Sequence, residues 1–388
     1  MYELFIVTSL AAEGPGSLAE ALNYRAEYVT IDGVEKPKKT RVVVFDISGE
    51  IEWTYDAALK SLADGGPRGV IVKGDTAPGD GITITGHPFY LLDSRDVKIE
   101  GIRFELPTAP SRRQSNSWGN LRVITSSGCQ SRNITIDHCT FYGGEDEQLS
   151  VTPLVQYAWQ DSTPDVPHIV GLKVTNCLFG PAFTLHRGNH NFAALVSLGD
   201  DILFENNLFM HANRRSPQVQ GTQVTIRGNV IYNYGSMAVG CMAPGDYQVY
   251  DNLFILGYNS NKTFLASPIT LGTTGTSGDV LIEHNNNMRL KRGTIPFAIN
   301  LPVDNQTDNH LDEMINGLLG RADYQANWIN VETKSGSRRL ELDEDQIERY
   351  RDGLGGWCRT QWAFGGYDTK KVETSNVLLR HGILKQGD

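Results

Sequence analysis

Short segments of alternating apolar and polar residues recur along the chain, and each closes in the same way. They read VKIEGIRF (97–104), ITIDHCTF (134–141), LKVTNCLF (172–179), ILFENNLF (202–209), VTIRGNVI (224–231), YQVYDNLF (247–254) and VLIEHNNNM (280–288). Period-two alternation is a strand signal, and the Gly, His, Asn or Asp at the fifth position tolerates a left-handed backbone. Each segment therefore predicts a strand, a sharp bend and a second short strand. The fifth positions are 101, 138, 176, 206, 228, 251 and 284, with spacings of 37, 38, 30, 22, 23 and 33 residues. A coil of about 22 residues, lengthened in some turns by inserted loops, gives that series. Strands of equal register at such a period stack in parallel about 4.8 Å apart, each coil covering the apolar face of the last. Asn206, Asn207, Asn229, Asn252 and Asn285 fall at matching sites, and an amide ladder is expected there. The pattern predicts an all-β parallel solenoid. A β-sandwich needs Asn-Gly or Asp-Gly hairpin turns between neighbouring strands, and few are present.

The ends of the pattern differ from its middle. GPGSLAEALNYR (14–25) predicts a turn, an N-cap at Ser17 and a short amphipathic helix that caps the first coil. VVVFDISGEIEW (42–53) predicts a buried strand, a turn and another strand. Beyond about residue 300 the alternation fades. Residues 311–320 and 341–356 read as helical, and the aromatic segment 356–367 as a cover for the far end or a subunit contact. The expected organisation is a solenoid over 1–304 and a mixed extension over 305–388, through which a homo-oligomer is expected to form.

Composition narrows the partners. The 388 residues carry 35 basic and 45 acidic side chains, a net charge of -10. Nucleic acid is a poor partner for such a chain, because binding phosphates takes a basic stripe. No run approaches the roughly 18 apolar residues of a membrane-spanning helix. The N-terminus lacks a basic segment ahead of its apolar residues, so no cleavable leader is expected in this sequence. Five cysteines without C-x-x-C spacing suggest buried free thiols rather than a disulfide framework.

Several segments, in order, resemble the pectate lyases of polysaccharide lyase family 1, in their secreted bacterial and fungal branch. GPGSLAEALN with RVVVFDISGEI is similar to that family's opening, and KGDTAPGDGITI (73–84) to its early glycine-rich coil. VKIEGIRF is similar to its strand ahead of the active cleft, and ITIDHCTF with GGEDEQLSV (143–151) to its Asp-His-Cys segment and the acidic strand that follows. HANRRSPQVQG and IRGNVIYNYG resemble its Arg-x-Pro motif and the next strand. The likeness runs over roughly residues 5–260. It implies a right-handed parallel β-helix, cleavage of polygalacturonate by β-elimination, calcium as cofactor and an extracellular location.

β-Elimination removes the C5 proton of a uronate and expels the oxygen on C4. The proton is acidified only if the neighbouring carboxylate is neutralised, so cations must surround it, and a base must reach C5. The resemblance places Arg215, of Arg215-Ser216-Pro217, as that base. A guanidinium holds its proton tightly, so only a dry pocket and nearby cations would free it, and the plainer reading is an ion pair or a fork for a carboxylate. Arg214 is the rival, since strand alternation sends one of the two into the groove. Asn213 precedes them, and Gln220 stands where the family has a second arginine. Asp146 and Glu147 fall at the family's calcium-binding acids. Asn120 falls near an earlier acidic ligand, where it offers a neutral carbonyl, so the implied calcium site is weakened or completed by substrate. Arg187, with His186 beside it in TLHRGNH (184–190), falls where the family aims a cation at the substrate carboxylate. His186 and His190 have a metal-like spacing, but on strand or loop rather than helix. Asp137 and His138 read as hydrogen-bonded supports of the coil rather than catalysts. Asn133 and Asn261 begin glycosylation triplets of a kind that chance supplies.

Two functions of different class fit these residues. One is a lyase acting on an acidic polysaccharide. The other is a glycan-binding β-helix without cleavage, such as a viral tail or cell-surface component, which Gln220 and Asn120 favour.

Overall fold

The computed structural model describes residues 1–106 (less 55 and 58–64), 119–153 (less 127 and 145), 168–180 and 192–255 (less 211, 233, 236 and 243–245). Past these it describes strands at 267–271, 280–282, 287–289, 328–333 and 336–341.

β1 (Tyr2–Val7) leads into a short helix, α1 (Leu18–Leu22), and an antiparallel hairpin of β2 (Tyr28–Ile31) and β3 (Val34–Pro37). From there the chain winds in coils of up to three strands. β4 (Thr40–Phe45) and β5 (Gly49–Trp53) form one coil, and β6 (Arg68–Lys73), β7 (Ile82–Gly86) and β8 (Phe89–Leu92) the next. β9 (Arg95–Glu100), β10 (Ile102–Glu105) and β11 (Leu121–Thr125) follow, then β12 (Ser131–Asp137), β13 (Thr140–Tyr142) and β14 (Glu147–Pro153). β15 (Ile169–Thr175), β16 (Leu178–Phe179), β17 (Phe192–Glu205), β18 (Leu208–Met210), β19 (Gln218–Arg227), β20 (Val230–Tyr232) and β21 (Met237–Met242) continue the winding. β17 and β19 are long because each turns the corner from the last strand of one coil into the first of the next. β22 (Tyr247–Tyr250), β23 (Leu253–Ile255), β24 (Ser267–Leu271), β25 (Val280–Ile282) and β26 (Asn287–Arg289) extend the stack.

Stacking the coils generates three parallel sheets. The first runs β1-β4-β6-β9-β12-β15-β17-β19-β22-β25, the second β5-β7-β10-β13-β16-β18-β20-β23-β26, and the third β8-β11-β14-β17-β19-β21-β24. This is a parallel β-helix, as the repeat predicts. Among the described residues no helix is long and apolar enough to cross a membrane.

The corner between the first and second sheets is built as the fifth-position pattern requires. Gly101, His138, Asn176, Asn206, Gly228 and Asp251 all have φ between 51° and 65°, one per coil; His284 lies outside the described residues. At Gly101 the choice is also steric, since a Cβ there would stand 2.8 Å from the Asp75 backbone nitrogen. From His138 to Gly228 the residue after each corner points inward and binds the next coil. The Cys139 N–H donates to Cys177 Sγ (3.4 Å), Cys177 N–H to Asn207 Oδ1 (2.9 Å), Asn207 N–H to Asn229 Oδ1 (2.9 Å) and Asn229 N–H to Asn252 Oδ1 (3.0 Å). The expected amide ladder is therefore Asn207, Asn229 and Asn252, continued by two buried thiols. Asn206 occupies the left-handed corner instead, and Asn285 lies outside the described residues.

Two residues further into the second sheet's strands, Phe104, Phe141, Phe179 and Phe209 stack with centroids 5.2, 4.7 and 4.6 Å apart. The core between the sheets is otherwise aliphatic, with Val97, Ile99, Ile134, Ile136, Leu172 and Val174 at 2% exposure or less. At the N-terminal end Ser17 caps α1, its Oγ accepting from Glu20 N–H (3.2 Å), and Glu20 reaches back to the Gly16 N–H (2.6 Å). Leu18, Ala21 and Leu22 of that helix join the same core as Val7 and Val43. Cys139, Cys177 and Cys241 are buried free thiols, whereas Cys129 is exposed and Cys358 lies outside the described residues. Past the solenoid, β27 (Trp328–Thr333) and β28 (Gly336–Glu341) form an antiparallel hairpin. Glu341, where a helix was expected to begin, closes that hairpin; 342–356, 311–320 and 356–367 lie outside the described residues.

Candidate active site

The third sheet brings together residues far apart in sequence. Glu147 of β14 stands opposite Phe192 of β17, and Phe192 bridges to Arg214 on the next coil. Main-chain bonds fix the three levels: Phe192 N–H donates to Asp146 O (3.4 Å), Ala193 N–H to Arg214 O (3.3 Å) and Ala194 N–H to Arg215 O (2.7 Å). Asp146, Glu147 and Arg215, 68 to 69 positions apart in the chain, thus lie on neighbouring coils of one sheet edge.

Arg215 has φ +63°, a left-handed value at a non-glycine residue. Such backbone is costly for a residue with a Cβ and persists where the surroundings enforce it. Its consequence is a division between the two arginines. Arg214 is exposed, while Arg215 is folded against the sheet. The Arg215 guanidinium lies 4.2 Å over the Phe192 ring, and its Nη1 is ion-paired with Glu147 Oε1. Glu147 and Asp146 are themselves buried, at 7% and 8% exposure. Burial pushes the Arg215 pKa down from its ordinary value, and the charge of Asp146 pushes it back up. The arrangement is a partly desolvated cation facing two carboxylates on the outer wall of a solenoid.

No protein-family model matches the chain. Curated relatives do. It is 25% identical over 265 residues to probable pectate lyase C of Aspergillus flavus, covering 67% of this chain and 52% of that protein. It is 24% identical over 277 residues to probable pectate lyase C of Aspergillus terreus, covering 71% and 53%. By sequence the chain is similar to curated proteins named probable pectate lyases. It spans about half the length of the curated relatives it matches. Among solved structures it is similar to jun a 1, the major allergen from cedar pollen, at 12% identity and a TM-score of 0.43 over 80% of this chain and 83% of that one. It is also similar to pectate lyase Bsp165PelA from Bacillus sp. N165 in complex with trigalacturonate, at 13% identity and a TM-score of 0.39 over 74% and 85%.

The other residues assigned by resemblance to the pectate lyases are placed as follows. Asn213 is partly buried next to the arginine pair, its side-chain oxygen packed against Gly235. Asn120, just ahead of β11, is 2% exposed, and its Nδ2 donates to Phe104 O (2.9 Å) and Tyr142 O (2.8 Å). Those are contacts of a bend-supporting amide, and its Oδ1 is buried without a hydrogen-bond partner among the described residues. His186, Arg187 and His190 lie outside the described residues. Among the described residues no three His, Cys, Asp or Glu side chains converge on a metal position. Of the residues expected to hold calcium, Asp146 and Glu147 are the carboxylates among the described residues, and Glu147 is ion-paired with Arg215. Calcium takes six to eight oxygens, so two carboxylates fit it only when water and substrate oxygens supply the rest.

Asp137 and His138 sit away from this edge, at the corner of the first sheet. Asp137 Oδ1 accepts from Thr175 Oγ1 (2.7 Å) and Asn176 Nδ2 (3.0 Å) and contacts His138 Nδ1 (3.0 Å), so the pair supports the coil as expected. Phe192, which carries the Arg215 guanidinium, was not anticipated. Its segment, NFAALV, has the apolar run of a buried strand, and nothing local distinguishes a ring under a cation from a core ring.

Proposed function

We propose that the chain is a polysaccharide lyase that cleaves polygalacturonate-like chains by β-elimination, with Arg215 as the base. The observation that carries this reading is the desolvated guanidinium of Arg215 beside Asp146 and Glu147 on one outer sheet edge, in a chain whose curated relatives are named probable pectate lyases. Arg215 Nη takes the proton from C5 of a bound uronate. The C5–H electron pair forms the C4–C5 double bond, the C4–O bond breaks, and the departing oxygen takes a proton from solvent. Burial favours the neutral guanidine that this step needs, and the phenyl face of Phe192 keeps water from one side of it. The carboxylate of Glu147 favours the charged form, so the uronate must enter as that pair is exchanged. Calcium held by Asp146 and Glu147 with substrate oxygens would neutralise the uronate carboxylate and acidify C5. Arg187 and His186 are proposed as further substrate contacts, and secretion follows the same reading.

The second reading, a glycan-binding β-helix that does not cleave, is favoured by the Arg215–Glu147 ion pair, which opposes loss of the guanidinium proton. The two separate on one assay. Polygalacturonate incubated with the protein and calcium is expected to gain the ultraviolet absorbance of an unsaturated uronate. Arg215→Ala is expected to lower kcat by about 100-fold or more, as removal of a general base does. Arg214→Ala, which removes an exposed side chain, is expected to change KM only. A wild-type protein that binds the polymer and never generates the unsaturated product identifies the second reading.

A further inference from the structure

The outer face of the third sheet carries a second cation that the proposed chemistry does not use. Arg122 of β11 is in register with Tyr90 of β8 on one side and Ser150 of β14 on the other. β14 in turn registers Ser150 with Leu195, and β17 registers Leu195 with Gln218. The intervening positions Leu91, Leu121, Val123, Leu149, Val151 and Val196 are fully buried. By alternation, then, Tyr90, Arg122, Ser150, Leu195 and Gln218 line the outer face. The Arg122 guanidinium lies 5.8 Å over the Tyr90 ring, and the His87 ring meets the Tyr90 ring edge-on at 5.6 Å. Both Tyr90 and Arg122 are half-buried.

Arg122 differs from the other half-buried cations of the solenoid wall. Lys73, Lys98 and Arg227 on the first sheet, and Arg215 on the third, all have carboxylate partners. Among the described residues Arg122 has none, in a chain with ten more acidic than basic side chains. A guanidinium held by an aromatic face and offered no internal anion is preorganised for an external one, and its planar fork matches a carboxylate.

Along the strand Arg122 is three residues past the level of Glu147, and across the sheet it is three coils from Arg215. At about 3.3 Å per residue and about 4.8 Å per strand, the two backbones are about 17 Å apart. That is too far for one sugar, and within reach of a chain lying across the sheet.

We infer that Tyr90 and Arg122 form a distal binding subsite for an unesterified uronosyl carboxylate of the same polyanionic chain. This rests on the proposed lyase reading for the identity of the glycan. Arg122 makes the contact, and Tyr90 is a positioning residue that holds the guanidinium outward. The subsite would make binding depend on polymer length and on a free carboxylate, which methyl esterification removes.

The test measures steady-state cleavage and equilibrium binding of polygalacturonate by the full chain, for wild type, Arg122→Gln, Arg122→Lys and Tyr90→Leu. Arg122→Gln is expected to raise KM and Kd for the polymer about tenfold, with kcat unchanged, as loss of one charged hydrogen-bonded contact does. KM for trigalacturonate is expected to move far less, and the preference for unesterified over methyl-esterified polymer to shrink. Arg122→Lys recovers part of the loss, and Tyr90→Leu, which leaves the charge in place, shows a smaller rise. It also serves if Arg122→Gln does not fold. If the wild type cleaves and these variants keep its KM and Kd, the subsite is overturned and the lyase reading stands. If the wild type binds without cleaving and Arg122→Gln weakens binding, the lyase reading is overturned and the subsite is supported. A wild type that does not bind polygalacturonate overturns both.

Discussion

Asp137 shows how a single side chain ties three coils together. It sits between Lys98 on the preceding coil (Nζ to Oδ2, 3.4 Å) and Thr175 and Asn176 on the following one. Burial pushes its carboxyl pKa up, but the bonds from His138, Thr175 and Asn176 together prevail and hold it below the usual carboxylate range. A group whose folded pKa is depressed stabilises the fold at pH values above its unfolded pKa and loses that contribution as pH falls through the folded one. Asp137→Asn is therefore expected to cost about 1 kcal/mol at neutral pH, the scale of charge-assisted bonds partly open to solvent. The gap between variant and wild type should narrow steadily in acid below the ordinary carboxylate range. Urea unfolding of both proteins across that range reads this directly, and a gap that widens in acid would contradict the assigned sign.

At the level of the repeating element, two columns of residues do different work. The left-handed corner of Gly101, His138, Asn176, Asn206, Gly228 and Asp251 is legible in the sequence because tolerance of that backbone is a property of the residue type itself. The column one step further in is only half legible. Asn206 and Asn207 are both asparagine, and the choice of which enters the ladder depends on where the bend falls, which composition does not encode. Phe104, Phe141, Phe179 and Phe209 close four of the aligned segments, so their common column is legible although they lie 30 to 38 residues apart; that the rings stack on one another is not. The ladder also differs from the corner in cost. Asn229 Oδ1 accepts from the Asn207 N–H, and its Nδ2 donates to Phe204 O (3.0 Å), with all of these groups buried. Asn229→Ala strands both, and is expected to lower stability by about 3 kcal/mol. Asn206→Ala, which strains a left-handed corner, should cost about 1 kcal/mol. The denaturation midpoints of the two variants rank them, and equal losses would mean that the amides bind the coils no more than the corner does.

For the whole molecule, winding is what converts sequence separation into adjacency. Asp146, Glu147 and Arg215 could be nominated in advance because each lies in a segment with its own likeness to a known family. Phe192, Tyr90 and Arg122 could not, since their neighbours are set by the register of coils rather than by nearby residues. The same winding places a few cations on one wall of a chain whose net charge is -10. For a polyanionic partner this sets two electrostatic ranges against each other. The long-range field of the protein repels the polymer, and it reaches about 30 Å at 0.01 M salt but only about 10 Å at 0.1 M. Contacts to Arg122 and Arg215 act within a few ångströms, where partial burial protects them from screening. With the divalent ion level held fixed, KM for polygalacturonate should therefore fall as salt rises between those two concentrations, and climb again only when the contact pairs are themselves weakened. A protein that met its substrate with a broad basic surface would lose affinity from the lowest salt onward. A monotonic rise in KM would thus show that the attracting charge extends well past the two arginines. The segments outside the described residues, with Arg187 among them, would then be the place to look for it.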